Sequence, residues 1–166
     1  RGGDETTARK QGNSMARFTI LSPTAILGYG FPESSFERGL AHKPDLIAVD
    51  AGSADPGPYY LGVGKSFTDR CAVRRDLSRM LSAALSHGIP LVIGSAGGAG
   101  ASSHLQWTVD IVKELADELG LSFRLGIIAA DVARDTLLEG LQQHRVIALT
   151  GAPTLTAATI NETGAM

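Results

Sequence analysis

The chain has 166 residues and a mass of 17.3 kDa, with 43% apolar residues and a mean hydropathy of +0.07, which is the size and composition of one globular domain with a single core. Its 15 Lys and Arg against 17 Asp and Glu give a net charge of −2, which argues against a dedicated nucleic-acid-binding protein. The sequence has no apolar run of the roughly 20 residues that cross a membrane, no apolar N-terminal stretch and one cysteine, Cys71, so we expect a cytoplasmic protein with neither a membrane partner nor an internal disulfide.

The first 16 residues contain almost no large apolar side chain and no periodic pattern. Such a segment cannot repay the entropy cost of ordering, so we predict a flexible leader or the remnant of an expression tag. An α/β domain is predicted over residues 17–150. Residues 151–166 are interpreted as a tail without a helix and as the start of a further region of a longer protein.

From residue 17 onward, short apolar runs alternate with longer segments of helical periodicity. In residues 69–87, for example, apolar side chains recur along one helix face, and Gly88 and Pro90 end the segment. The predicted elements, in chain order, are strand 18–21, helix 32–42, strand 46–49, helix 69–87, strand 91–93, helix 105–119, strand 125–129, helix 132–143 and strand 146–149.

Strands that alternate with helices at this spacing form βαβ units, and their crossovers are right-handed. We therefore predict an α/β fold with a doubly wound, mainly parallel sheet of about five strands and helices on both faces. Ligands bind beyond the carboxyl ends of the strands in such sheets. The segments after the predicted strands are rich in Gly, Ser and Asp, so we expect the functional site at this carboxyl edge.

The strongest candidate is the glycine-rich loop at residues 94–100, GSAGGAG, which precedes a predicted helix. Closely spaced glycines let backbone N–H groups approach a ligand, and the helix directs its positive end toward the same place. The loop matches neither GxGxxG nor a Walker A motif. Glycines that only permit a tight turn are the alternative interpretation. The residues predicted to bind an anion here are Ser95, Gly97, Gly98, Gly100 and Ser102.

The loop after the first predicted strand offers a second group of candidates. Gly28 and Gly30 precede a predicted helix, and Asp50 ends the next strand, as in half of a dinucleotide site. The missing third glycine and the position of Pro32 disfavour that interpretation. The residues of this loop that we predict to contact a ligand are Ser22, Thr24, Gly28, Tyr29 and Gly30.

Three carboxylates follow predicted strands. Asp50 is predicted to be the general acid or base, because it ends the second strand. Asp55 is either a second catalytic acid or a residue that fixes the following Pro-Gly turn. Ser53 and Asp131 are predicted to contact the ligand.

His104 lies in the first turn of a predicted helix. It is either a neutral catalytic group that assists Asp50 or a histidine that faces solvent. A metal site formed by His104 and the three carboxylates is a weaker option, since no ligand spacing supports it. We therefore predict no metal site, and no motif identifies a cofactor.

Four arginines, Arg70, Arg74, Arg75 and Arg79, lie on the predicted helix over residues 69–87. Such residues most often form a solvated face. In an oligomer, they would meet carboxylates of a neighbouring subunit.

Three stretches of the chain resemble a known family. They are ILSPTAILGYGFPESSF at residues 20–36, DLIAVDAGSADPGPYYLG at 45–62 and IPLVIGSAGGAGASSH at 89–104. In this order they are similar to the N-terminal part of the acyclic terpene utilisation AtuA family, whose members are longer. The resemblance implies catabolism of acids or acyl-CoA esters, and a site completed by the remainder of a longer chain. It supplies no established catalytic residue.

The residues and the resemblance together predict a metabolic enzyme, or its N-terminal portion, which acts on a small carboxylate or CoA ester. A lyase, hydratase or isomerase step needs a base, an acid and a group that binds the anion. We also expect a homo-oligomer, unless the rest of a longer chain completes the protein. The alternative is a non-catalytic module that binds a nucleotide or metabolite and regulates or assembles a larger complex.

Overall fold

The computed structural model describes residues 17–164, and the predicted leader at residues 1–16 lies outside this range. The described residues form an α/β structure in which short strands alternate with helices, so the predicted fold class is confirmed at this level. The elements are β1 Ile20–Leu21, α1 Glu33–Ala41, β2 Leu46–Asp50, α2 Tyr59–Val63, α3 Arg70–His87, β3 Leu91–Gly94, a 3₁₀ turn at Ala96–Gly98, α4 Ser102–Leu119, α5 Arg134–Gln142 and α6 Ala157–Glu162.

The sheet of the described chain has three parallel strands in the order β1-β2-β3. Ile47 pairs with Leu91 and Val49 with Ile93, and these four side chains share one face because strand residues alternate. Ile47 and Val49 are buried in the core. Val92 points to the other face and is 50% exposed. The helices of the described chain therefore cover one face more completely than the other.

The predicted strands at residues 125–129 and 146–149 do not form in the described chain, so the expected count of about five strands is not reached there. Both runs are apolar, but Ile128 is 89% exposed and Leu149 84% exposed. A continuous apolar run becomes a buried strand only when both of its faces are covered. Residues 125–130 instead pass the edge of β3 without pairing, and Ala130 N–H donates to the Gly100 carbonyl at 3.0 Å.

The core forms where α3 packs on β2 and β3 and against α4. Leu77 and Met80 of α3 meet Ile111 and Leu115 of α4, and all four side chains are fully buried. Each such burial contributes about 1.5–3 kcal/mol. Asp69 caps α3 by accepting from the Ala72 N–H at 2.9 Å, as the local sequence favours.

Two of the four arginines on α3 join it to α4. Arg70 donates to Glu114 at 2.7 Å, and Arg74 pairs with Glu118. The hydrogen bond to Glu114 raises the pKa of Arg70 above its ordinary value. These exposed pairs connect two helices of the same chain, and the arginines do not simply form a solvated face.

The segment expected to be a tail without a helix contains α6. Thr156 caps it by accepting from the Thr159 N–H at 3.1 Å, a signal that the sequence interpretation missed. Ile160 is buried, the Arg134 guanidinium donates to carbonyls of residues 160, 161 and 163, and Gly164 N–H donates to the Gly62 carbonyl at 2.7 Å. Residues 157–164 are therefore packed against α5 and the C-terminal end of α2.

Across residues 17–164, none of the helices combines the length and the apolar character that a membrane crossing would need.

Candidate functional site

The loops after the three strands meet at the carboxyl edge of the sheet. Asp50 ends β2 directly beside Gly94 of β3, and Ala51 N–H donates to the Gly94 carbonyl at 2.9 Å. Leu27, in the loop after β1, donates its N–H to the Asp50 carbonyl at 2.8 Å. This edge therefore brings together Asp50, Ser95 and the loop that contains Gly28 and Gly30.

The carboxylate of Asp50 is exposed and oriented. Its Oδ1 accepts from the Gly52 N–H at 2.9 Å. This contact to its own loop holds the side chain at the end of β2. Gly52 also lies close to Ser95, since a Cβ atom added to Gly52 would lie 2.6 Å from the Cβ of Ser95 and 2.8 Å from the Gly98 carbonyl oxygen. Only a glycine lets the second loop approach the third so closely.

Ser95 adopts a backbone conformation that L-residues rarely take. Its φ of 47° and ψ of 40° are left-handed, which stores local strain and is most common at functional sites. The residue lies at the turn between β3 and the 3₁₀ segment. It also lines a cavity of about 490 Å³ whose other walls are mostly apolar side chains of β3, the glycine-rich loop and residues 126–130.

The N-terminus of α4, where we predicted an external anion, binds a carboxylate of the protein itself. Both oxygens of Asp131 accept from the Ser102 N–H, at 3.0 and 2.9 Å, and Oδ2 accepts from the Ser102 hydroxyl at 2.6 Å. These hydrogen bonds lower the pKa of Asp131 below its ordinary value of 3.8. Asp131 therefore caps the helix, and it occupies the Ser102 N–H and hydroxyl that we predicted to bind an external anion.

We expect Asp131→Asn to lower the melting temperature at pH 7. Because the folded-state pKa is lowered, the contribution of Asp131 to stability is present above pH 3.8 and is lost as the pH falls through its folded pKa. Melting curves at pH 7 and pH 3 should show a larger difference between the variant and the parent at pH 7 than at pH 3. Asp117→Asn, at the opposite end of α4, is the control. An equal loss at both pH values would contradict a role for the charge.

The glycine-rich loop packs tightly against the start of α4. Gly97 has a φ of +71°, and a Cβ atom added there would overlap the carbonyl group of His104, lying 2.6 Å from its carbon. Gly98 lies below the Phe67 ring, and Gly100 against Ala130. Gly97 is thus required for packing, which supports the turn interpretation at this position.

His104 is buried, which contradicts the alternative of a histidine that faces solvent. Its Nε2 lies 3.1 Å from the carbonyl oxygens of both Tyr60 and Lys65. Carbonyls only accept, so Nε2 carries the proton and donates to them. His104 therefore links α2 and the segment that follows it to α4.

The turn at Gly28 and Gly30 also encloses a carboxylate of the protein. Both N–H groups donate to Oδ2 of Asp76 at 2.9 Å, and Arg75 holds Oδ1 through Nε at 2.9 Å and a terminal nitrogen at 2.8 Å. Asp76 is completely buried. The two amides that a dinucleotide would need are therefore already satisfied, which contradicts that interpretation.

Asp76 was missed in the sequence interpretation although a signal was present. It lies three residues after Val73 and four before Met80, on the apolar face of α3. A carboxylate in such a stripe is buried together with the apolar face of the helix, so it requires hydrogen-bond donors from other parts of the protein. Glycine-rich turns are the places where such donors are most accessible.

The remaining candidates make local contacts. Ser53 and Asp55 bond to each other through their own turn, with Ser53 Oγ 3.1 Å from Asp55 Oδ2, which agrees with the turn-fixing alternative for Asp55. Ser22 and Thr24 donate to carbonyls two residues further along their loop.

Within residues 17–164, no three His, Cys, Asp or Glu side chains lie close enough together to hold a metal ion. Comparisons of the chain with protein-family models, with curated proteins and with solved structures each returned no match.

Proposed function

We propose that the chain is a metabolic enzyme, or the N-terminal part of one, that binds a small carboxylate or CoA ester at the carboxyl edge of its sheet. The reaction class is the lyase, hydratase or isomerase class, in which a proton is removed or added beside an acyl carbon. The observation that carries this proposal is the oriented, exposed carboxylate of Asp50, which pairs with Gly94 next to the strained Ser95, while Ser95 itself lines a cavity.

In this proposal, Asp50 is the general base. Its carboxylate accepts a proton, and the bond from Gly52 fixes the direction from which the proton arrives. The hydroxyl of Ser95 donates to the carbonyl oxygen of the substrate. The apolar walls of the adjacent cavity accommodate the acyl chain, as in most small-molecule sites. His104, Asp55 and Asp131 have no catalytic part.

The second candidate is a non-catalytic module that binds a metabolite and assembles a larger complex. It is favoured by one observation, namely that His104, Asp76 and Asp131 are all engaged in contacts within the chain. A binding module needs these structural contacts and does not need a base.

We also propose a cellular role for the protein and a completion of its sheet. The resemblance to the AtuA family supports a role in catabolism, in the cytoplasm. The exposed apolar runs at residues 125–129 and 146–149 would become strands once both of their faces are covered. With them, the sheet would be doubly wound and have about five strands. A homo-oligomer or the remainder of a longer chain would supply that cover.

The proposal is tested by proton exchange, which does not require knowledge of the final product. Carboxylates and CoA esters are first screened by thermal shift, since a ligand of the native state raises the melting temperature. Any stabilising compound is then incubated with the protein in D₂O, and exchange of the protons next to its acyl carbon is followed by NMR.

We expect Asp50→Asn to slow this exchange about a hundredfold, because the amide does not accept the proton. The melting temperature should change little, since the side chain is exposed. Asp110→Asn, which removes an exposed carboxylate on α4, is the matched control and should exchange at the parent rate. Full exchange in Asp50→Asn would contradict the enzyme proposal and favour the binding module.

A further inference from the structure

A second cavity, of about 390 Å³, opens on the side of α3 that faces away from α4. Its lining residues are Tyr29, Gly30, Phe31, Pro32, Arg75 and Arg79. Two of the four arginines of α3 thus face this cavity, whereas Arg70 and Arg74 pair with carboxylates of α4. Arg70 and Arg74 therefore link α3 to α4, whereas Arg75 and Arg79 line the cavity.

The guanidinium of Arg75 is held in place before any ligand arrives. Nε and one terminal nitrogen contact the buried Oδ1 of Asp76. A guanidinium has five N–H donors, so the other donors remain for a ligand, and the side chain is 50% exposed. Gly30 makes this position possible, because a Cβ atom there would lie 2.9 Å from the Arg75 terminal nitrogen.

Arg79 lies one helical turn further along α3. Its nearest carboxylate is Glu33 at 3.6 Å, and both side chains are well exposed. Exposed pairs of this kind contribute little, so an external anion displaces Glu33 at small cost. Arg75 and Arg79 therefore present two cationic groups to the same cavity.

Apart from the two arginines and Gly30, the residues that line the cavity are Tyr29, Phe31 and Pro32, which present aromatic and apolar groups. The ring of Phe31 packs against Phe36 with centroids 4.9 Å apart, and Phe36 belongs to the core. Tyr29 is 65% exposed and projects beside the arginines. Fixed aromatic surface next to cationic groups is the combination that binds a flat ring carrying an anion.

We propose that this cavity binds a nucleotide, with a phosphate between Arg75 and Arg79 and the base against Tyr29 and Phe31. A phosphate group has enough oxygens to accept from two guanidiniums at once, whereas a carboxylate has two oxygens and one charge. The site uses side chains and not the Gly28 and Gly30 amides, which Asp76 occupies. It is independent of the chemistry proposed for Asp50.

Calorimetry on the full chain, with ADP and with pyrophosphate as probes, tests the proposal. We expect ADP to bind at least about fivefold more tightly than pyrophosphate, which is the contribution of one base stacked on an aromatic ring. Equal affinities would overturn the assignment of a nucleotide, and the absence of ADP binding at millimolar concentration would overturn the site.

Substitutions at the lining residues test whether ADP binds in this cavity. Arg79→Gln should weaken ADP binding at least about tenfold, as expected for loss of a charge-assisted hydrogen bond, while Glu33→Gln should strengthen it. Arg74→Gln is the matched control, since Arg74 lies on the same helix but pairs with Glu118, and its affinity should equal that of the parent. Unchanged binding in Arg79→Gln, with urea unfolding showing a folded variant, would overturn the proposal.

Discussion

Replacing Asp76 with alanine is expected to lower the free energy of unfolding by about 3 kcal/mol. The substitution removes a completely buried carboxylate that accepts from the amides of Gly28 and Gly30 and from Arg75. Those amides then lose their acceptor inside the protein. This loss lies at the lower end of the range for removing one partner of a buried ion pair. Arg75 is half exposed, so water solvates its guanidinium once Asp76 is removed.

Urea unfolding followed by circular dichroism measures this effect. Asp76→Asn should cause a smaller loss, since its amide oxygen still accepts a backbone N–H while the charge is gone. Glu118→Gln removes a carboxylate that is 55% exposed and contacts the same helix, and it should change stability by less than about 1 kcal/mol. A loss in Asp76→Ala no larger than in this control would show that the turn does not depend on Asp76.

Gly97→Ala is the second change with a large expected effect, a loss of about 3 kcal/mol. The backbone at residue 97 has a φ of +71°, which costs an L-residue about 1–2 kcal/mol. The new methyl group would also overlap the backbone carbonyl of His104. Backbone atoms of α4 cannot rotate away as a side chain does, so the overlap adds about 1–3 kcal/mol.

Gly120→Ala separates the two causes. Gly120 ends α4 with a φ of +62°, and a Cβ atom there would meet nothing within 4 Å. Gly120→Ala should therefore lower the free energy of unfolding only by the cost of an L-residue in the left-handed backbone region, about 1 kcal/mol. If Gly97→Ala and Gly120→Ala lower the free energy of unfolding in urea by the same amount, the close packing of Gly97 against α4 is contradicted.

The four helices of nine or more residues in the described chain, α1, α3, α4 and α5, were predictable because their signals are local, whereas the five-residue α2 was not predicted. Residues 69–87 combine an apolar stripe with a capping Asp69 and a terminal Gly88, and the observed α3 begins and ends within one residue of that prediction. The short α6 has only a capping threonine and no long stripe. A single capping residue is weak evidence in a sequence, which is why it was missed.

The strands were only partly predictable, because apolar composition does not reveal what covers a strand. β2 and the run at residues 125–129 are similar in composition, but Ile47 is fully buried while Ile128 is 89% exposed. The difference lies in the presence of helices packed over β2. That information is tertiary and is not contained in either run.

At the candidate site, the sequence correctly indicated where backbone donors cluster but not what accepts from them. Glycine spacing pointed to the turn at Gly28 and Gly30, whose acceptor Asp76 lies 48 and 46 residues away along the chain. For Ser102, the acceptor Asp131 is 29 residues away. Pairings over such separations follow from the fold, so an external anion was the natural but incomplete interpretation.

The carboxylates of Asp76 and Asp131 act as tethered ligands for those donors. A group held in position by its own chain competes at an effective concentration far above the millimolar range of a short flexible linker. Free phosphate or a metabolite at cellular levels loses this competition. The amides of Gly28, Gly30 and Ser102 are thus occupied from within, and we expect their geometry not to vary with the supply of small anions around the protein.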